Sequence, residues 1–209
     1  MHINVIVRDA SSHIQEVFRE RQDEPWAGVD HGVVLLLKAG IVPAYNYGDF
    51  DSITEEERKF IKEHIDIDPV PSEKDDTDLA LCLADLAAKG YESINVYGAT
   101  GGRMDHALGN IQLLMHEELR GTEIKIIDRQ NVISLIQEGK HEVRRQEGMK
   151  YISFLPFNEK TTLSLDGFLY DLDEQLLEFG TTLTISNEFT KNIGNVYTDK
   201  DILMIQSKD

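Results

Sequence analysis

Short apolar runs alternate with amphipathic helical stretches up to about residue 128, and this alternation constrains the fold more than any other feature of the chain. Residues 3–7 read as a short buried strand, 14–21 as a helix with Ile14, Val17 and Phe18 on one face, and 27–30 as a strand that ends in an acid. Residues 33–38 follow as a helix closed by Gly40, and a third strand around Val42, Ala44 and Tyr45 runs into the acidic turn Gly48-Asp49-Phe50-Asp51-Ser52. Next come a charged helix over 54–64, an extended piece over 65–70, and a helix over 77–89 with Leu79, Leu83 and Leu86 as its stripe. A strand over 93–97, a glycine turn over 98–102, a helix from about 103 to 119 and a strand over 123–128 complete the series. In the long helix Met104, Leu108, Ile111 and Met115 are spaced as a buried stripe. Strands alternating with helices predict an α/β fold with a mostly parallel sheet flanked by helices, its ligands outside the carboxyl ends of the strands.

From about Asn131 the helical period fades. Runs rich in β-branched and aromatic residues take over at 132–136, 151–154, 161–165, 181–185 and 202–205, with turn signals at Asp166-Gly167 and Phe179-Gly180. They predict a smaller, all-β sandwich. The expected division is an α/β domain over 1–135 and a β domain over 136–209.

A formal charge of −17 argues against a nucleic-acid backbone or an anionic membrane as partner. The single cysteine, Cys82, rules out an intramolecular disulfide and lies in an apolar run, as a buried structural thiol does. No stretch approaches the ~18 apolar residues of a membrane span, and a cytoplasmic protein is expected.

Three turns after predicted strands carry the chemistry. Asp49 and Asp51 lie two apart at a strand end, so both carboxylates point the same way and are able to share one divalent cation. Taken alone, the same turn is also an ordinary helix start, with Ser52 and Thr54 preceding Glu55 and Glu57 in capping-box spacing. Lys74-Asp75-Asp76-Thr77-Asp78 is likewise either a set of helix N-terminal acids or a second ligand group, and Lys74 suits a nearby phosphate better than a helix start. Gly98-Ala99-Thr100-Gly101-Gly102-Arg103 joins a strand to a helix and permits close approach of backbone N–H groups to an anion. It is neither a P-loop nor the dinucleotide fingerprint. Beyond it Arg103, His106 and Asn110 share a polar edge, and Arg103 is suited to a bidentate phosphate contact. Clustered carboxylates beside a phosphate cradle make sense with Mg²⁺ and a nucleotide polyphosphate between them.

These motifs, with Ser186-Asn187-Glu188-Phe189 late in the chain, resemble in order and spacing those of the bacterial thiamine pyrophosphokinase family, over about residues 28–189. The resemblance implies an N-terminal ATP- and Mg²⁺-binding domain, a C-terminal thiamine-binding β-sandwich, and a homodimer with thiamine bound where subunits meet. It implies transfer of the diphosphoryl group of ATP to the thiamine hydroxyl, with release of AMP. Carried over by position, Asp49, Asp51, Asp75 and Asp78 are the metal set, and with Arg103 the catalytic set. Asp30, Gly32, Ser52, Lys74, Thr100, Gly101, Gly102 and Arg103 would contact the nucleotide. Asp105, His106, Asn110, Ser186 and Asn187 would contact thiamine or the phosphate path. The chain departs from the family at His31, where arginine or glycine is common, and at Ala80, where an acid is common. It also lacks the late tryptophan that stacks on thiamine in some members, and Met204 or a neighbour is the expected substitute. Two alternatives stay open at this point: a regulatory protein that binds nucleotide or thiamine without turnover, and a Mg²⁺-dependent kinase of another small alcohol.

Overall fold

The computed structural model describes residues 1–8, 11–50, 53–65, 76–157 and 159–209. The chain forms two compact units, Met1–Asp128 and Arg129–Asp209. The first holds, in order, β1 (His2–Ile6), α1 (Ser12–Glu20), β2 (Trp26–Val29), α2 (His31–Lys38), β3 (Tyr45–Tyr47), α3 (Glu55–His64), α4 (Asp78–Ala88), β4 (Ser93–Tyr97), α5 (Met104–Leu113) and β5 (Glu123–Ile127). Its five strands are parallel, in the order β5-β4-β1-β2-β3.

The chain therefore builds outward from β1 to β3 and then returns to add β4 and β5 on the other side of β1. Such a reversal opens a crevice at the carboxyl ends of the strands, which is where ligands bind in open α/β sheets. Helix α2 is apolar all round, and its residues Gly32 to Leu37 are all buried. One side joins a cluster with Ile14 and Phe18 of α1, Trp26 and Tyr97. The other side joins Phe50, Ile53 and Ile61 of the α3 region. Helix α3 is fixed at its start by a full capping box, in which Thr54 accepts from the Glu57 N–H and the Glu57 carboxylate accepts from the Thr54 N–H. Cys82 is buried, as expected of a structural thiol.

The second unit contains β6 (Asn131–Ile136), β7 (Gly139–Arg144), β8 (Tyr151–Pro156), β9 (Thr161–Asp166), β10 (Leu172–Leu177), β11 (Asn187–Glu188), β12 (Ile193–Thr198) and β13 (Ile202–Ser207). They make two antiparallel sheets, β11-β8-β13-β6 and β10-β9-β12-β7. Ile152, Phe154, Ile202 and Met204 from one sheet share a core with Val143, Leu163, Leu165, Leu177 and Val196 from the other. The expected α/β fold followed by a β-sandwich is the observed architecture.

Four expectations require correction. The run 181–185 is not a strand but irregular chain, with Leu183 and Ile185 exposed to solvent. Helix α5 stops at Leu113, and a short 3-10 turn, Glu117–Leu119, replaces its last part. Its stripe is not buried in this unit, since Met104 is 71% and Leu108 54% exposed. Met204, expected with its neighbours to replace the stacking tryptophan, is a core residue of the sandwich. The extended piece expected over 65–70 falls almost wholly outside the described residues.

Candidate active site

The ends of β2 and β3 are neighbours in the sheet; an acid follows β2 at once and follows β3 after one glycine. Asp30 follows β2 and caps α2 with an unusual backbone, φ 49° and ψ −118°. Its N–H donates to the Tyr47 carbonyl at 2.8 Å, which ties the two strand ends together. Asp49 follows β3 after Gly48. Asp78 arrives from a third direction as the first residue of α4, behind the N-cap Thr77, whose hydroxyl accepts from the Ala80 N–H. The three half-buried carboxylates come together, with one oxygen of each within 4.8 Å of the others.

Two glycines allow this convergence. A Cβ on Gly48 (φ +124°) would stand 2.0 Å from Oδ1 of Asp30. A Cβ on Gly32 would stand 2.0 Å from the Ile6 carbonyl, so only glycine lets the start of α2 sit over the end of β1. Phe50, the next residue after Asp49, also takes a positive φ, 59°. Among the described non-glycine residues only Asp30, Phe50, Glu174 and Ser186 do so, and three of these four fall in the sequence motifs. Such backbone costs of order 1–3 kcal/mol per residue and persists only where the surroundings hold it.

The glycine turn follows β4. Among the described residues nothing lies within 4 Å of where a Cβ on Gly101 (φ +83°) or Gly102 would be. The turn is braced from behind: the Thr100 hydroxyl donates to Asp128 at 2.7 Å, and the Asn110 amide donates to the Ala99 carbonyl at 2.8 Å. Arg103 donates twice to Asp105, from Nε at 3.1 Å and from Nη2 at 2.5 Å. The Asp105 carboxyl is thereby held down to about 2, first by the guanidinium and then by the His106 N–H. Arg103, Asp105 and His106 are all exposed.

In the second unit Ser186 (φ 60°) donates its N–H to the Ser153 hydroxyl at 2.9 Å. Asn187 is buried, and its amide clamps the backbone of Tyr170, accepting from its N–H at 3.0 Å and donating to its carbonyl at 2.8 Å. Tyr170 itself is 65% exposed.

Of the residues singled out in the sequence, Asp49 and Asp78 meet, joined by Asp30, which had been expected at the nucleotide. Asp51, Ser52, Lys74 and Asp75 lie outside the described residues. Asn110 and Asn187 spend hydrogen bonds on holding backbone, and Thr100 spends its hydroxyl on the Asp128 carboxylate. Sequence reasoning passed over Tyr170, whose signal is its exposure beside Asn187, and Arg58, whose guanidinium bonds the Phe50 carbonyl.

An open parallel sheet with acids and a glycine turn at its carboxyl edge, followed in the chain by an antiparallel sandwich, defines the class: an α/β transferase of the kinase kind. Comparison with known proteins agrees. The thiamin pyrophosphokinase catalytic domain matches residues 20–127, and the thiamin pyrophosphokinase vitamin B1 binding domain matches residues 140–203. The chain is 44% identical over 187 residues to thiamine pyrophosphokinase of Bacillus subtilis (strain 168), covering 88% of this chain and 87% of that one. The crystal structure of thiamine pyrophosphokinase from Bacillus subtilis superimposes with a TM-score of 0.86 at 38% identity, covering 100% of both chains. That of thiamin pyrophosphokinase from Geobacillus thermodenitrificans gives 0.86 at 34% identity, covering 100% of this chain and 98% of that one. The chain belongs to the thiamin pyrophosphokinase family, and it is an enzyme that transfers a pyrophosphoryl group to thiamine.

Proposed function

We propose that the donor is ATP, that Asp30, Asp49 and Asp78 with Asp51 and Asp75 hold Mg²⁺, and that the enzyme works as a cytoplasmic homodimer. The observation that supports this most strongly is the meeting of three carboxylates at the sheet edge. Without a cation such a group repels itself and any polyphosphate, so the donor set suits a hard divalent ion. When bound, Mg²⁺ supplies charge neutralisation at the phosphate oxygens.

The chain's own residues position and stabilise. Gly101 and Gly102 present backbone N–H groups to the polyphosphate, and Arg103, with Lys74, adds positive charge to offset what develops in transfer. Asp105 orients the Arg103 guanidinium. Gly32 and Ser52 complete the nucleotide side, with Thr100 and Asn110 holding the shape of the glycine turn. In the β unit, which is the thiamine-binding part, Ser186 faces the ligand, and Asn187 acts through the exposed ring of Tyr170. His106 lies on the thiamine or phosphate path. The uncovered apolar stripe of α5 favours assembly of two copies.

Incubation with ATP, Mg²⁺ and thiamine tests this reading: AMP and thiamine diphosphate should appear together. Formation of ADP, or turnover without thiamine, would exclude it. Light scattering that finds an active monomer would exclude the dimer.

A further inference from the structure

The acidic turn after β3 is not self-supporting. Phe50 lies between Asp49 and Asp51 in the left-handed region, which a bulky residue adopts only when other contacts compel it. Two contacts do so. The Phe50 ring is 2% exposed and packs with Val33, Val34, Leu37, Ile53 and Ile61 between α2 and α3. Its carbonyl accepts a hydrogen bond from Nη2 of Arg58 at 2.9 Å, whereas the backbone bond it receives from the Ile53 N–H is long, at 3.5 Å. Arg58 lies on the first turn of α3, which brings its guanidinium within reach of the Phe50 carbonyl.

We propose that Arg58 is a positioning residue for the cation site: by fixing the Phe50 carbonyl it holds the strained backbone that presents Asp49, and hence the trio, to a divalent ion. This rests on reading the acidic trio as a Mg²⁺ site. The sign of the effect separates positioning from plain electrostatics. Removing a cation near three carboxylates should by charge alone tighten divalent binding. Losing the brace should weaken it.

The test is Mn²⁺ binding to the nucleotide-free full-length protein, followed by electron paramagnetic resonance and competed with Mg²⁺. Arg58→Met keeps the apolar stem and removes the donor, and should bind Mn²⁺ about tenfold more weakly, the loss expected for one charge-assisted hydrogen bond. Arg58→Lys, which keeps charge and one donor, should fall between. Thr54→Ala removes the cap of the same helix and should lower the melting temperature while leaving Mn²⁺ affinity unchanged. Should Arg58→Met not fold, Arg58→Gln is measured against the same tenfold expectation. Binding by either variant as tight as wild type, or tighter, overturns the role of Arg58. So does an equal loss in Thr54→Ala, which would mean general loosening of α3. A loss confined to the KM for ATP, with Mn²⁺ binding intact, would make Arg58 a phosphate ligand and also overturns it. Absence of Mn²⁺ binding in the wild type overturns the cation site itself along with the inference.

Discussion

Replacing Gly48 by alanine tests the site geometry most directly. The new methyl carbon would stand 2.0 Å from Oδ1 and 2.9 Å from Cγ of Asp30. Ordinary contact begins at 3.4 Å, so the Asp30 carboxylate must retreat by about 1.4 Å, the difference between 3.4 and 2.0. A retreat of that size separates Asp30 from Asp49 and Asp78. The backbone adds its own cost, because φ +124° is foreign to alanine. Left-handed strain of about 1–2 kcal/mol and overpacking of about 1–3 kcal/mol are offset by about 0.4–1 kcal/mol from a stiffer unfolded chain, for a net loss of about 1–5 kcal/mol. Misplacement by about 1 Å at a reacting centre costs on the order of 10²-fold in rate. Gly40→Ala is the control, since Gly40 also has a positive φ, +78°, but no described residue lies within 4 Å of a Cβ there. It should lose stability alone. Denaturant melts and single-turnover AMP formation on both variants read the two effects. Wild-type turnover by Gly48→Ala would refute the reasoning, as would an equal rate loss in Gly40→Ala.

Asp78→Asn should raise the melting temperature of the metal-free protein by relieving like-charge repulsion, while abolishing the Mg²⁺-dependent stabilisation expected of the wild type and at least 10²-fold of turnover; calorimetry with and without Mg²⁺ checks both signs. Asp105 is held down to about 2 chiefly by Arg103, so its favourable pairing is complete above the ordinary carboxylate range and lost as pH falls through about 2. In Arg103→Ala the Asp105 carboxyl should titrate closer to ~4, measured by carboxyl-carbon NMR, and an unmoved titration would refute the pairing. Asn187→Ala leaves the Tyr170 N–H and carbonyl without their partner and should cost about 1–3 kcal/mol in a denaturant melt, with a raised KM for thiamine and little change in KM for ATP.

The α/β half was legible because its strands and all its helices but α5 bury an apolar face within one unit, so apolar period and element type coincide. The β half was legible only in part: runs over β6, β8, β9 and β13 were expected, whereas β7, β10, β11 and the central strand β12 were not. Strands β7 and β10 are the two edges of the four-stranded sheet, and their outward faces carry Lys140, Glu142, Arg144 and Glu174, so no apolar run announces them. An edge strand needs only one apolar face, and charge on it discourages pairing with another chain. The run 181–185 misled for the opposite reason, since Leu183 and Ile185 are apolar without being covered by their own unit. Helix α5 repeats that error with Met104 and Leu108. Period reports which residues are apolar together; it does not report what covers them. Asp30 carried a usable signal, an acid directly after a strand. Its place beside Asp49 depended on β2 and β3 being neighbours, which spacing alone does not fix.

Strain connects these details. An acid at a strand end is common, and three within 4.8 Å repel one another, so a fold left to relax would spread them apart. Here the means of relaxation are removed one at a time. Gly48 lets the chain pass against Asp30, the Asp30 N–H is tied to the Tyr47 carbonyl, the Phe50 ring is anchored in the core, and Arg58 holds the Phe50 carbonyl. Each of these contacts lies in the backbone or the core of the α/β unit, where the hydrophobic clusters on both sides of α2 supply the free energy that the acidic edge gives up. The carboxylates are thus kept close before any ligand arrives, which is the condition under which a site of hard oxygen donors favours a cation without first reorganising.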